Sequence, residues 1–183
     1  MNIGLKDKKI IIEGPWAVGK TTFCKKAHAL GWIFIKEPDH RKTKLKKNNE
    51  NINIYYILSH ISNMIKLLNL NRPAILERSI ISAFAYNYAI GDKTWKVLWS
   101  YIKISKGILK NIKIFCFYRP YKFFAYDLNK YDRKKFIPRG ISQEKFYKRF
   151  LQAFRKVQTE CPKNFAIIKL EKNQFVSNVI KIL

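Results

Sequence analysis

The sequence predicts an α/β fold, a doubly wound parallel five-stranded sheet flanked by helices. Three observations predict it. Short apolar runs rich in β-branched residues alternate with stretches whose apolar residues recur at helical spacing. Residues 14–21 read Gly14-Pro15-Trp16-Ala17-Val18-Gly19-Lys20-Thr21, a G-x-x-x-x-G-K-[ST] pattern lying between an apolar run and a helical stretch. The 183 residues, 48% of them apolar, suffice for one such domain with a full core and are too few for two comfortable ones.

The first strand is expected over Lys8–Gly14, where Lys8-Lys9-Ile10-Ile11-Ile12-Glu13 has the continuous apolar character of a buried parallel strand. A helix follows over Lys20–Leu30 and is closed by Gly31. Trp32-Ile33-Phe34-Ile35 forms a short second strand that Glu37-Pro38 ends, and the polar stretch Arg41–Asn51 reads as a loop. Ile54, Ile57, Leu58, Ile61, Ile65 and Leu68 mark a helix over Ile52–Leu70. Pro73–Glu77 is the third strand, and Ser79–Ile90 a helix ending at Gly91. Asp92 caps a further helix with Trp95, Leu98, Trp99 and Ile102 on one face. Ile112–Tyr118 is the fourth strand, followed by a basic, aromatic segment over Arg119–Arg139. Ser142-Gln143-Glu144-Lys145 opens a long helix towards Thr159, Phe165–Leu170 is the fifth strand, and Phe175–Leu183 a terminal helix.

Composition narrows the classes. Lys and Arg number 37 against 12 Asp and Glu, a net charge of +25. Part of this excess accompanies an abundance of Lys, Asn, Ile, Phe and Tyr, the mark of an AT-rich coding sequence. The other cause would be a polyanionic partner, so contact with nucleic acid is one expected property. No apolar run approaches the roughly 18 residues of a membrane span, so no membrane partner is expected. Met1–Asp7 leads into the first strand without a signal-peptide core, and Cys24, Cys116 and Cys161 have no metal-site spacing. These features point to a cytoplasmic chain with small buried thiols, and a homodimer is an expected assembly.

The glycine-bearing pattern carries the chemistry. Gly14, Pro15, Trp16, Ala17, Val18, Gly19, Lys20, Thr21 and Thr22 would wrap backbone N–H groups around nucleotide phosphates, with the helix N-terminus adding its partial positive charge. Lys20 would reach the β- and γ-phosphates of ATP, and the Thr21 hydroxyl would hold Mg²⁺. Three further segments follow expected strand ends: Glu37, then Glu77-Arg78-Ser79, then the basic stretch 119–139. Phosphoryl transfer needs a cradle, a metal-side carboxylate, cations on the moving group and a carboxylate at the attacking hydroxyl. The four segments supply each part once.

Taken together, Ile11-Ile12-Glu13-Gly14 with the loop, Glu37-Pro38 and Glu77-Arg78-Ser79-Ile80-Ile81-Ser82 resemble the deoxynucleoside kinase and thymidylate kinase group of P-loop kinases. The resemblance covers nearly the whole chain in element order. It implies one P-loop kinase domain with a lid at about 119–140. It implies Glu37 as the base on a sugar 5′-hydroxyl, Glu77 working with Mg²⁺, and Arg78 contacting the transferring phosphate. Arg133 and Arg139 lie where an arginine-bearing lid closes on ATP. Asp39-His40-Arg41 stands where these kinases carry an aromatic residue, and Trp16 replaces an acidic loop residue of the thymidylate kinases. The implied activity is ATP-dependent phosphoryl transfer to a nucleoside or nucleoside monophosphate. Two other readings fit the same residues: a polynucleotide 5′-kinase, and a non-catalytic kinase-like protein that binds nucleic acid or serves an assembly. Tyr55, Tyr56, Phe84, Tyr86 and Tyr88 are candidates for an acceptor-base pocket, with packing as the plainer reading, and His60 reads as a satisfied or surface histidine.

Overall fold

The computed structural model describes residues 8–39, 49–130 and 137–170. Its strands are β1 Lys9–Glu13, β2 Ile33–Ile35, β3 Ala74–Glu77, β4 Lys113–Tyr118 and β5 Phe165–Lys169. They form one sheet in the order β2-β3-β1-β4-β5, and every pairing is parallel. Parallel neighbours require crossovers. The helices supply them: α1 Lys20–Ala29, α2 Asn49–Leu68, α3 Ile80–Ile90, α4 Thr94–Ile104, the short α5 Lys106–Leu109, α6 Tyr121–Lys130 and α7 Gln143–Glu160.

The sheet is covered on both faces, which is why β1 is apolar throughout. Ile10 and Ile12 pack with Phe23, Cys24 and Ala27 of α1, while Ile11 points into the larger core with Phe84, Phe146 and Phe154. Chain order reverses at β1: β3 lies on one side of it and β4 on the other. In open α/β sheets the crevice at such a reversal, at the carboxyl ends of the strands, is where ligands bind.

All five strands stand within a residue or two of their expected places. Ser79 caps α3 by accepting from the Ile81 N–H at 3.2 Å, and Ser142 caps α7 through Lys145 N–H. The Asp92 carboxylate accepts from Thr94 N–H at 2.8 Å, as its capping role requires. The basic stretch after β4 is helical over Tyr121–Lys130, which forms α6 and buries Phe124 and Leu128. Lys122, Tyr126 and Lys130 face water while Phe124 and Leu128 pack inward, so helical order hid behind the charge. Arg133, His40, Arg41, the Lys42–Lys47 loop and the terminal helix lie outside the described residues.

Three helices expose apolar residues. On α2 these are Ile54, Leu58 and Ile65; on α4 and α5 they are Val97, Tyr101, Ile104 and Ile108. Asn51–Ile65 contains no charged residue, in a chain where 27% are charged.

Candidate active site

The loop from Gly14 to Gly19 joins β1 to α1 at the chain reversal. Gly14 has φ +128°, and a Cβ there would stand 2.1 Å from the Phe117 carbonyl oxygen of β4. The backbone must pass that close to enter the loop, so only glycine serves. Gly19, at φ +88°, turns the chain into α1 with no side-chain cap, which leaves the first N–H groups of the helix open to a ligand. Val18 is buried, while Thr22 is exposed at the start of α1.

Lys20 is only 4% exposed, and its ammonium donates to the carbonyls of Pro15 at 2.6 Å and Gly14 at 3.1 Å. Burial, and next the Arg78 charge, bring its pKa down to about 7 against the opposite pull of Glu37, Glu77 and Glu13. The neighbouring Thr21 hydroxyl donates to the Glu77 carboxylate. A hydroxyl and a carboxylate suit Mg²⁺, a hard cation that takes few protein ligands and completes its shell with phosphate oxygens and water. No cluster of three or more His, Cys, Asp or Glu able to hold a metal occurs among the described residues. Thr21 and Glu77 therefore fit a metal that arrives with a nucleotide better than a resident ion.

Arg78 follows β3 with φ +64°, an uncommon conformation for a side-chain-bearing residue. Its backbone N–H donates to the Ile12 carbonyl at 3.0 Å, continuing the β1–β3 ladder past the strand end. The guanidinium Nη1 donates to Ser82 Oγ at 3.1 Å. Its Nε lies 2.9 Å from Glu37 Oε1, forming an ion pair rather than an aligned hydrogen bond. Glu37 is 32% exposed at its side chain, so the carboxylate keeps an open side. The structure thus brings Lys20, Thr21, Glu37, Glu77 and Arg78 together at the carboxyl ends of β1, β2 and β3. Arg139 is exposed in the turn before α7.

Trp16 stands inside an aromatic cluster. It stacks on Phe146 of α7 at 5.5 Å and 9°, on Phe150 at 6.3 Å and on Phe124 of α6 at 6.5 Å. Tyr86 of α3 meets it edge-on at 6.3 Å. Trp16 therefore ties the loop to the segment that follows β4. Phe84 is core, stacked on Trp99 at 5.2 Å, and Tyr88 packs on Trp95 at 5.4 Å, so packing is the role of both.

Three residues were not singled out for the site by sequence reasoning. Glu13 is wholly buried at the end of β1 and accepts from Ser79 N–H at 2.8 Å, Ser79 Oγ at 2.5 Å and Ser82 Oγ. Its burial raises its pKa against those hydrogen bonds. A carboxylate set between three isoleucines and a glycine was the available signal. Ser82 was read only as part of the Glu-Arg-Ser motif. His60 of α2 is 2% exposed, stacks on Tyr56 at 6.0 Å, and its Nδ1 has no hydrogen-bond partner. This corrects the satisfied or surface histidine. Burial lowers its pKa to about 4, with Glu37 opposing and Arg78 assisting, so the ring is neutral at pH 7.

No family model matches the chain, and no curated protein does. Solved structures do. A thymidylate kinase from Candida albicans aligns with a TM-score of 0.68 at 15% identity, covering 97% of this chain and 89% of that one. A deoxyadenosine kinase from M. mycoides, solved with bound dATP, aligns at 0.64 and 18% identity over 95% of this chain and 98% of its own. A thymidylate kinase from Ehrlichia chaffeensis aligns at 0.58 and 16% identity over 96% and 97%. Strand order, loop and alignments together give this chain the fold of the P-loop nucleotide kinases of the thymidylate and deoxynucleoside kinase group.

Proposed function

We propose that the chain transfers the γ-phosphoryl group of ATP to a nucleoside or nucleoside monophosphate. The observation that carries this reading is the convergence, at three adjacent strand ends, of Lys20 in its loop, the Thr21–Glu77 contact and the Arg78–Glu37 pair. The loop amides and Lys20 hold the phosphates, and Arg78 meets the charge that spreads over the moving group. Thr21 and Glu77 would hold Mg²⁺, which would supply positive charge against the phosphate oxygens. With a 5′-hydroxyl acceptor, Glu37 takes the proton as the acceptor oxygen bonds to the γ-phosphorus. The bond to the β–γ bridging oxygen breaks in the same step, and its electron pair leaves with ADP. With a monophosphate acceptor, Glu37 orients rather than deprotonates. Arg139, exposed in the turn before α7, would serve as a cation closing over the nucleotide.

The homodimer is assigned to the exposed face of α2, α4 and α5. Ile54, Leu58 and Ile65 are exposed on α2, with the half-buried Ile61 and Leu68 completing their four- and three-residue steps, and Val97, Tyr101, Ile104 and Ile108 recur at the same steps. A chain of net charge +25 repels its own copy, and the uncharged run 51–65 offers the least repulsion.

Labelled ATP offered with a panel of nucleosides, monophosphates and 5′-hydroxyl oligonucleotides tests the activity. The expected label is on a nucleoside or monophosphate. Label on oligonucleotides alone would move the assignment to a polynucleotide kinase, and no labelled product would remove catalysis.

A further inference from the structure

We infer that Glu13 and Ser82 are positioning residues that set the guanidinium of Arg78. The inference deepens the kinase reading and rests on it for the kinetic part of its test.

The contacts form a directional relay. Glu13 Oε1 accepts both the N–H and the hydroxyl of Ser79, and Oε2 accepts the hydroxyl of Ser82. Donors converge on both oxygens, the pattern of an ionised carboxylate. A serine hydroxyl has one proton and two lone pairs. With both protons directed at Glu13, each hydroxyl oxygen can only accept elsewhere. Ser79 Oγ accepts from Ile81 N–H at 3.2 Å and so starts α3. Ser82 Oγ accepts from Arg78 Nη1 at 3.1 Å. A carboxylate beneath the phosphate loop thereby fixes both the helix start after β3 and the side chain of the residue between them.

The arrangement answers a physical need. Arg78 is held in the left-handed region, a strained conformation that persists only when neighbours over-determine it. Its Ile12 backbone bond, Ser82 and Glu37 are three such determinants. Glu37 is the one an acceptor would engage, because it is the partly exposed member. Ser82 is 4% exposed and Glu13 fully buried, so their hold on Arg78 lasts when Glu37 turns to an acceptor. In Glu13→Gln an amide N–H₂ can face Ser82 Oγ and donate to it. The Ser82 proton then loses its carboxylate acceptor and can turn towards Arg78, which spoils the hydroxyl as an acceptor for the guanidinium.

Two measurements test the relay. In the ligand-free protein, NMR reads rotation about the Nε–Cζ bond of Arg78, with the signal identified by its loss in Arg78→Lys. Ser82→Ala should speed that rotation about tenfold or more, and Ser82→Thr should restore it, because freeing one bonded nitrogen removes a barrier to rotation. In turnover, Ser82→Ala and Glu13→Gln should each lower kcat about tenfold with KM for ATP within about twofold, and Ser82→Ala should add nothing in an Arg78→Lys background. Unchanged rotation in Ser82→Ala, or fully additive losses, would overturn the relay. Should Glu13→Gln fail to fold, the two Ser82 variants carry the decision. A parent protein that phosphorylates no acceptor would remove the proposed activity alone, since the rotation measurement needs no turnover.

Discussion

Lys20 has its ammonium withdrawn from water and its pKa brought down to about 7. An anionic phosphate in the loop favours the charged form again. ATP binding at about pH 8 should therefore take up close to one proton per site, read by calorimetry in buffers of different ionisation enthalpy. Binding without uptake would separate Lys20 from the phosphates. Lys20→Ala should keep the fold and lose transfer, a cost on the order of several kcal/mol in the transition state. Glu37→Gln discriminates acceptors: about 10²–10⁴-fold slower transfer to a free hydroxyl and a milder loss on a monophosphate. An unchanged rate on every acceptor removes Glu37 from the chemistry. His60 titrates at about 4 when folded against an ordinary 6.5. Between those values the unfolded chain binds more protons, so this contribution is complete above about 6.5 and is lost as pH falls. Denaturant titration should show a loss of about 2 kcal/mol between pH 7 and pH 5 that His60→Phe abolishes. Lys20, Thr21, Glu37, Glu77 and Arg78 were legible in the sequence because each belongs to a short motif with fixed chemistry. Glu13, Ser82 and His60 were not legible as a group. The contacts of Glu13 with Ser79 and Ser82 cross 66 and 69 residues, and His60 is defined by a missing partner, so the motif that holds Arg78 and Ser82 four residues apart did not show what joins them to Glu13.

At the scale of elements, strands and most helices were legible because burial on both faces demands unbroken apolar runs and α2 and α7 repeat at helical spacing. The helix α6 was not, since its lysines outweigh its apolar stripe, and what orders it is Phe124 against Tyr147 at 4.7 Å and against Trp16. That packing makes α6 an extension of the phosphate loop rather than an independent arm. Trp16→Ala should therefore lower stability by about 3–5 kcal/mol, as deletion of a packed indole does, and should loosen α6. Hydrogen exchange would show faster exchange in Tyr121–Lys130 than in β1. Equal protection of α6 in parent and variant would contradict the coupling.

For the whole molecule, charge and self-association are linked. Lys106 is paired with Glu160, and Lys113 donates to the Lys163 carbonyl, so the run 103–113 is not a uniform row of free cations. Oligonucleotide binding should then be a low-salt property, lost by about 150 mM without a defined footprint. Binding that survives there with a fixed site size would restore the nucleic-acid reading. Analytical ultracentrifugation of the parent should show a dimer, and Leu58→Lys with Ile104→Lys a monomer. A monomeric parent removes that interface. Fold class was legible at this scale, but the exposed apolar face was not. The same spacing serves a buried helix and an exposed seam, and only the packed structure tells which residues stay uncovered.

Of the four indoles in this chain, at positions 16, 32, 95 and 99, only that of Trp16 lies in the phosphate loop. Its emission reports on ring packing between the loop and Phe124, Phe146 and Phe150. With Trp32, Trp95 and Trp99 replaced by phenylalanine, the protein would carry its own optical gauge. A colour shift on adding ATP would then time the loop's response separately from chemistry, on the millisecond scale of stopped flow.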